Sequence, residues 1–444
     1  MHSIHGLVRG GLMMVACAFS SPAMAHDNEG AGEPWWLAPT VGPLTPSLHI
    51  NAAVGDSSGD VEELAAGHHD PTREDGSVQA IEPGLSLRLG QLEGFATYAI
   101  SYGAEEEWEN EWEEAFLKVR DLPGGFEVRG GRMLGRFGYQ NARHLHSWNF
   151  VDTPLVLGRF LGDHGLWFDG ADLTWLRQDV GVTYGVTVGY GKAVSHEHDH
   201  EHGEEEHAHE EAHEGEEHAD HEEDHDHEGE HAHDEEHGHD HGGELAFDDE
   251  VGSARLFTQR NLDDFRSYES GLSLALGDEE SGRSMAVVGW DFTYGWRQNG
   301  LAPGGRSYTW TTEVLYRDVE DGGSGHDHAH DEEHGDEHEG EEHAEHDHDH
   351  EDLPGGAEFG FYTQFVYSPL QALDLGTRLG YVEGNDDLET GERFQISPAI
   401  TVYPDPYRRT SVRAQYNYDD LDDGSEEHTV WLQLGLGWGG AEVR

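Results

Sequence analysis

The feature that most constrains this chain is an alternation of apolar and small or polar residues with a period of two, repeated in stretches about ten residues long. Val288, Trp290, Phe292, Tyr294 and Trp296 share one face, and Gly289, Asp291, Thr293 and Gly295 the other. Phe359, Phe361, Phe365 and Tyr367 stand against Glu358, Gly360 and Gln364. Leu373, Leu375, Leu379 and Tyr381 stand against Asp374, Gly376, Arg378 and Gly380, and Val430, Leu432, Leu434, Leu436 and Trp438 repeat the pattern near the C-terminus. A soluble β-sandwich also alternates. The aromatic weighting of the apolar face, with glycine and charge on the other, favours an all-β transmembrane barrel with its apolar side outward and aromatic girdles at the interfaces.

Strand-like segments begin near residues 47, 79, 95, 112, 126, 166, 180, 251, 265, 284, 307, 357, 372, 393, 409 and 429. That is about sixteen antiparallel strands, an even number as single-chain bacterial barrels require. Short links are expected at 91–93, 121–124, 177–179, 368–371 and 404–407, and long ones at 56–78, 134–165, 191–250, 319–356, 384–391 and 419–427. The two classes interleave, as short periplasmic turns and longer external loops do. The link 296–305 is long for a periplasmic turn, which leaves the count around it open by two.

The N-terminus reads as an export signal. Arg9 supplies charge, Gly11–Ser20 is a short apolar core, and Ala23-Met24-Ala25 is an A-x-A cleavage site. Residues 1–25 are then the signal peptide, 26–46 an N-terminal periplasmic segment and 47–444 the barrel. A competing reading lipidates Cys17, but the apolar run before it is short. Cys17 is the only cysteine. After cleavage neither disulfides nor thiolate metal sites are available, so any metal must use imidazole and carboxylate. The formal charge of −67 argues against nucleic acid as a partner.

Much of that charge lies in two biased segments. The first holds His196, His198, His200, His202, His207, His209, His213, His218, His221, His225, His227, His231, His233, His237, His239 and His241, flanked by Asp and Glu. The second holds His326, His328, His330, His334, His338, His343, His346, His348 and His350. Acidity alone keeps a loop disordered but does not explain this density of imidazole. Redundant imidazole and carboxylate ligands suit zinc, with nickel, copper and cobalt chemically allowed. Flexible ligands imply many sites of modest affinity, because each bound ion must order its own stretch of chain. Strand parity puts both segments on the outer rim.

Residues 134–165 are rich in specific side chains for a loop: His144, His146 and His164 as candidate ligands, Asp152 and Asp163 as carboxylates, Arg143 and Arg159 as fixed cations. Following the fifth strand, such a loop can fold into the lumen and narrow it. Its residues would then form a constriction or an ordered metal site, or simply satisfy one another as a packed plug.

The chain resembles the zinc-regulated TonB-dependent outer-membrane receptors of bacteria. The resemblance rests on RFGYQNARHLHSWNFVDTPLVLGRFLGDHGL, on NLDDFRSYE at 261–269, on WDFTYGWRQNG followed by SYTWTTEVLYRD, and on His-rich insertions in matching places. It implies a barrel in the outer membrane, control by zinc supply, and transport of zinc or a zinc complex. About twenty residues separate His26 from the first strand, where TonB-dependent receptors carry a much larger plug, so the length suits a porin-like barrel and leaves coupling to TonB open. The expected function is zinc transport with capture by the His-rich loops. The alternatives are a general diffusion porin with metal-sensitive loops and a surface metal-binding protein. No Ser/His/Asp grouping or HExxH pattern suggests an enzyme. Expected partners are outer-membrane lipid, divalent metal ions and, by analogy with sixteen-stranded porins, further copies of the chain.

Overall fold

A computed structural model describes residues 40–59, 64–103, 108–194, 245–300, 304–322 and 353–440. The signal peptide, residues 26–39 and both His-rich segments lie outside the described residues. The strands are β1 (Leu44–Ser57), β2 (Asp75–Leu89), β3 (Leu92–Tyr102), β4 (Trp108–Leu122), β5 (Phe126–Leu134), β6 (Trp167–Asp179), β7 (Val182–Ala193) and β8 (Glu250–Asn261). They continue as β9 (Arg266–Asp278), β10 (Ser284–Arg297), β11 (Ser307–Val319), β12 (Gly356–Leu370), β13 (Leu373–Val382), β14 (Arg393–Val402), β15 (Thr410–Leu421) and β16 (Glu426–Gly439).

Each strand pairs antiparallel with its sequence neighbours, and β1 closes on β16 from Ser47↔Gly439 to Ser57↔Thr429. The result is a closed barrel of sixteen strands. Closure leaves no open edge, the condition for a sheet to sit in lipid with its backbone polar groups satisfied.

Burial along the strands is inverted relative to a soluble protein. Val188, Leu256, Leu272, Val430 and Leu432 are exposed on the outside, whereas Asp291, Arg317, Glu358 and Asn417 are wholly enclosed. Water would not tolerate the first set in a contiguous belt, and lipid would not tolerate the second facing outward. Aromatic rings gather toward both rims: Tyr102 with Trp108 at one, Trp296 with Tyr308 at the other. The barrel therefore lies in the outer membrane with lipid against its apolar belt. Among the described residues no helix is long and apolar enough to cross a membrane.

On one rim the connections are short, the longest being 298–306, so the region left open by the sequence holds its two hairpins and the count stays at sixteen. The opposite rim carries the long connections, including L1 (58–74) and L3 (135–166), and the strand ends that flank both His-rich segments. Several expected links shift: the turn after β12 is 371–372 rather than 368–371, because β12 runs through Leu370, and two others change more. β6 continues through Asp179, and its turn is Val180–Gly181 with Gly181 at φ 70°, not 177–179. The expected long link 419–427 shrinks to 422–425, because β15 and β16 stay paired out to Asp420↔Glu426.

Candidate lumenal site

L3 crosses the barrel interior, and its sequence explains how. Pro154, with φ −60°, starts a short helix α1 (Leu155–Leu161), and Gly162 at φ 91° ends it. The helix is apolar: Leu155, Val156, Leu157, Phe160 and Leu161 are all buried. Each such side chain contributes about 1.5–3 kcal/mol when removed from water. Its seat is cut from the barrel wall, since a Cβ at Gly360 would lie 2.7 Å from Val156 Cγ2. On its other side, a Cβ at Gly158 would collide with the carbonyl oxygen of Ala66 in L1. Glycines on the inward faces of strands thus serve partly as sockets for the loop.

Two of the loop residues singled out from the sequence, Asp152 and Arg159, anchor it to the barrel, and a third, Arg143, braces it from within. Asp152 is buried and pairs with Arg378 at 2.6 Å, while accepting hydrogen bonds from Gln415 and Asn417. Burial opposes its ionisation, but Arg378 and the two amides outweigh that and hold its carboxyl below the usual range. Arg159 donates to the Gly391 carbonyl at 3.1 Å and lies 3.8 Å from Glu358. Arg143 stacks over the Tyr139 ring at 3.9 Å and donates to that residue's carbonyl. Asp163 is a loop-local residue, accepting the backbone N–H of His164 on its side chain and that of His68 on its carbonyl.

The three histidines go elsewhere, to the wall formed by β1, β2 and β4. His144 is fully enclosed, with Nε2 2.7 Å from Glu114 and Nδ1 2.8 Å from Glu113 and 3.6 Å from Glu82. His146 Nδ1 lies 3.1 Å from Glu82, and its ring stacks on His49 with centroids 3.7 Å apart. His164 stacks on His68 at 4.2 Å, and His68 lies 3.3 Å from Glu109. Both His68 and His164 come within 3.9 Å of Glu111. His69, in L1, lies 3.9 Å from Glu113 and so links the two groups.

His49, His68, His69, Glu82, Glu111, Glu113 and Glu114 were not singled out by the sequence reading. Period two places Glu109, Glu111 and Glu113 on one face of β4, a signal that was present. Glu114 would then point outward. A bulge between β3 and β4 removes that restriction: Thr97 pairs with Glu114 and Tyr98 with Trp112, so Glu113 is the extra residue and both carboxylates turn inward. A second irregularity, at Asn51/Ala52 against β2, does the same for Gln79. The buried Gln79 amide then donates to the carbonyls of His69 in L1 and Val151 in L3. Asp70 completes the L1–L3 junction by accepting the backbone N–H groups of Thr153 and Ala66. Burial, then the neighbouring charge of Asp152, push its carboxyl up to about 6.

No family model matches the chain. An uncharacterized protein of Aquifex aeolicus (strain VF5) is 44% identical over 64 residues, which is 14% of this chain and 13% of that protein. Among solved structures, the chain is similar to a loop L8 deletion of OmpT from Vibrio cholerae, with 10% identity and a TM-score of 0.49 over 89% of this chain and 99% of that one. It is also similar to an anion-selective porin from Comamonas acidovorans, at 9% identity and TM-score 0.48 over 89% and 99% of the two chains. The channel DcaP of Acinetobacter baumannii gives 10% identity and TM-score 0.48 over 89% and 96%.

Proposed function

We propose that this chain is a passive outer-membrane channel of the porin kind whose passage responds to divalent transition-metal ions. The observation that carries the reading is the inverted barrel: apolar outside, charged and hydrogen-bonded inside, with L3 tethered across the lumen by Asp152 and Arg378. An interior lined by charged and hydrogen-bonding side chains suits an aqueous path through a barrel, and an inward loop is the part that sets what passes. Residues 196–241 and 326–350 collect metal at the mouth in this account, zinc foremost, with nickel, copper and cobalt as chemically allowed occupants.

A second reading is favoured by one observation. The imidazole and carboxylate side chains on β1, β2 and β4 offer transition-metal ligands inside the lumen, which suits a channel whose permeant is zinc itself or a small zinc complex. Planar-bilayer recording separates these readings, with purified protein beside a variant lacking residues 196–241 and 326–350. Metal-independent current that zinc reduces is expected of the porin. Current carried by zinc, and lost with the two segments, supports zinc transport. Absence of current in every condition overturns both and leaves a surface metal-binding protein.

A further inference from the structure

We infer that the lumenal wall made by β1, β2 and β4 holds a divalent transition-metal ion together with L3, at one or both of two adjacent positions that share Glu82, the first formed with His49 and His146 and the second with Glu113 and His144. The inference deepens the metal-responsive reading above but rests on side-chain geometry alone.

Ligand spacing is the first support. His49, Glu82 and His146 each present a ligand atom within 4.8 Å of the others, and Glu82, Glu113 and His144 do the same. Glu82 belongs to both groups, and a carboxylate has two oxygens, so it can serve two adjacent positions.

The state of His144 is the second support. Glu114 uses one oxygen to accept the backbone N–H of Leu134 and the other to face His144 Nε2 at 2.7 Å. An ionised carboxylate only accepts, so this contact places a proton on Nε2 and leaves Nδ1, 2.8 Å from Glu113 and 3.6 Å from Glu82, to carry either a second proton or a metal ion. Glu113 Oε2 and Glu82 Oε1 both face that nitrogen, and each residue is more than nine-tenths buried. Two anionic oxygens converging in an enclosed space need a cation among them, which a proton on Nδ1 or a metal ion in its place supplies. A carboxylate behind a histidine whose other nitrogen faces a metal is also the usual outer support of such ligands.

Charge balance is the third. Among the described residues, the ion-pair partners of Glu82 and Glu113 are histidines. Four other buried acids of the barrel meet a permanent cation: Asp172 with Arg129, Asp291 with Arg255, Glu358 with Arg317, Asp419 with Arg393. Two carboxylates and three imidazoles, with no thiolate, form a mixed nitrogen and oxygen set suited to zinc, nickel, copper or cobalt rather than to calcium or magnesium. His144 and His146 belong to L3 and the other three to the barrel, so a bound ion would pin the loop to the wall. His68, Glu111 and His164 repeat the pattern where L1, β4 and L3 meet.

The test uses the full chain, stripped with a strong chelator and reloaded with zinc alone. Anomalous diffraction at the zinc edge should place a peak among the five side chains. In solution, at least one zinc ion should survive a weak chelator that empties the His-rich segments, and Glu82→Gln should release it. Glu114→Gln removes no ligand, so it should retain the ion with affinity lowered about 10–100-fold; this variant keeps the test decisive should Glu82→Gln misfold. No peak at the wall, or equal chelator resistance in wild type and both variants, overturns the inference. A loaded wall in a protein without current overturns the channel reading and leaves this one standing; current with an empty wall does the reverse.

Discussion

Two stretches of the same lumenal surface solve the problem of buried charge differently. From β8 to β15, four carboxylates are matched by arginine: Arg255 with Asp291 at 2.9 Å, Arg317 with Glu358, Arg378 with Asp152 at 2.6 Å and Arg393 with Asp419 at 2.9 Å, while Glu313 is held by the Tyr362 hydroxyl and the Gln140 backbone N–H. Where β1, β2 and β4 face L1 and L3, Glu82 and Glu113 are matched by imidazoles. Guanidinium is charged at every relevant pH and holds its fork geometry, so the first stretch is a fixed scaffold. Imidazole takes up a proton or a metal near neutrality, so the second stretch is exchangeable. The loop L3 is clamped by the first and offered to the second.

Acid should blur that contrast most strongly. Below about pH 6 imidazoles become imidazolium and cease to be ligands. Zinc bound by the full chain is expected to fall steeply there, whether it sits on the His-rich segments or at the wall. Dialysis at stepped pH followed by metal analysis measures it; occupancy that does not change would remove histidine from the account.

The next largest effect is on the scaffold. Arg378→Ala leaves Asp152 buried without its cation and should cost about 3–5 kcal/mol, read as earlier thermal or denaturant unfolding in detergent. Gly158→Val forces a side chain into the L1 backbone and should cost about 1–3 kcal/mol, with faster proteolysis of L1 as the local readout. Glu113→Gln in metal-free protein should shift stability by less than about 1 kcal/mol, because it loses a contact to His144 but relieves repulsion from Glu82. A cost for Glu113→Gln equal to that of Arg378→Ala would erase the distinction between the two stretches.

The fold was legible because period-two alternation survives wherever one face meets lipid and the other does not. β10 and β11 are expected from Ser284 and Ser307, and the strands begin there. β4 was placed late, at Trp112 rather than Trp108, since the acidic run before it offers one apolar anchor only. The site was half legible. The L3 histidines could be named from composition, and of the charged residues named beside them Asp152 and Arg159 tie the loop to the wall while Arg143 holds Tyr139 within it. Their partners on β1, β2 and β4 could not be named, because the alternation rule has no term for a bulge. Glu113 and Glu114 both face His144 through one inserted residue, and no sequence periodicity announces it. His49 and Glu82 come together by strand pairing of β1 with β2, a contact fixed by register alone.

The central claim is that metal acts on this channel through the histidine-lined stretch of its lumen. Single-channel current through the full chain, recorded with and without micromolar zinc, tests it most directly beside His144→Asn and Arg413→Lys, the latter altering an arginine of β15 that donates to the Trp148 and Phe150 carbonyls of L3. The account predicts that zinc alters the current of wild type and of Arg413→Lys, and that His144→Asn abolishes the response while still conducting. An unchanged zinc response in His144→Asn would contradict it.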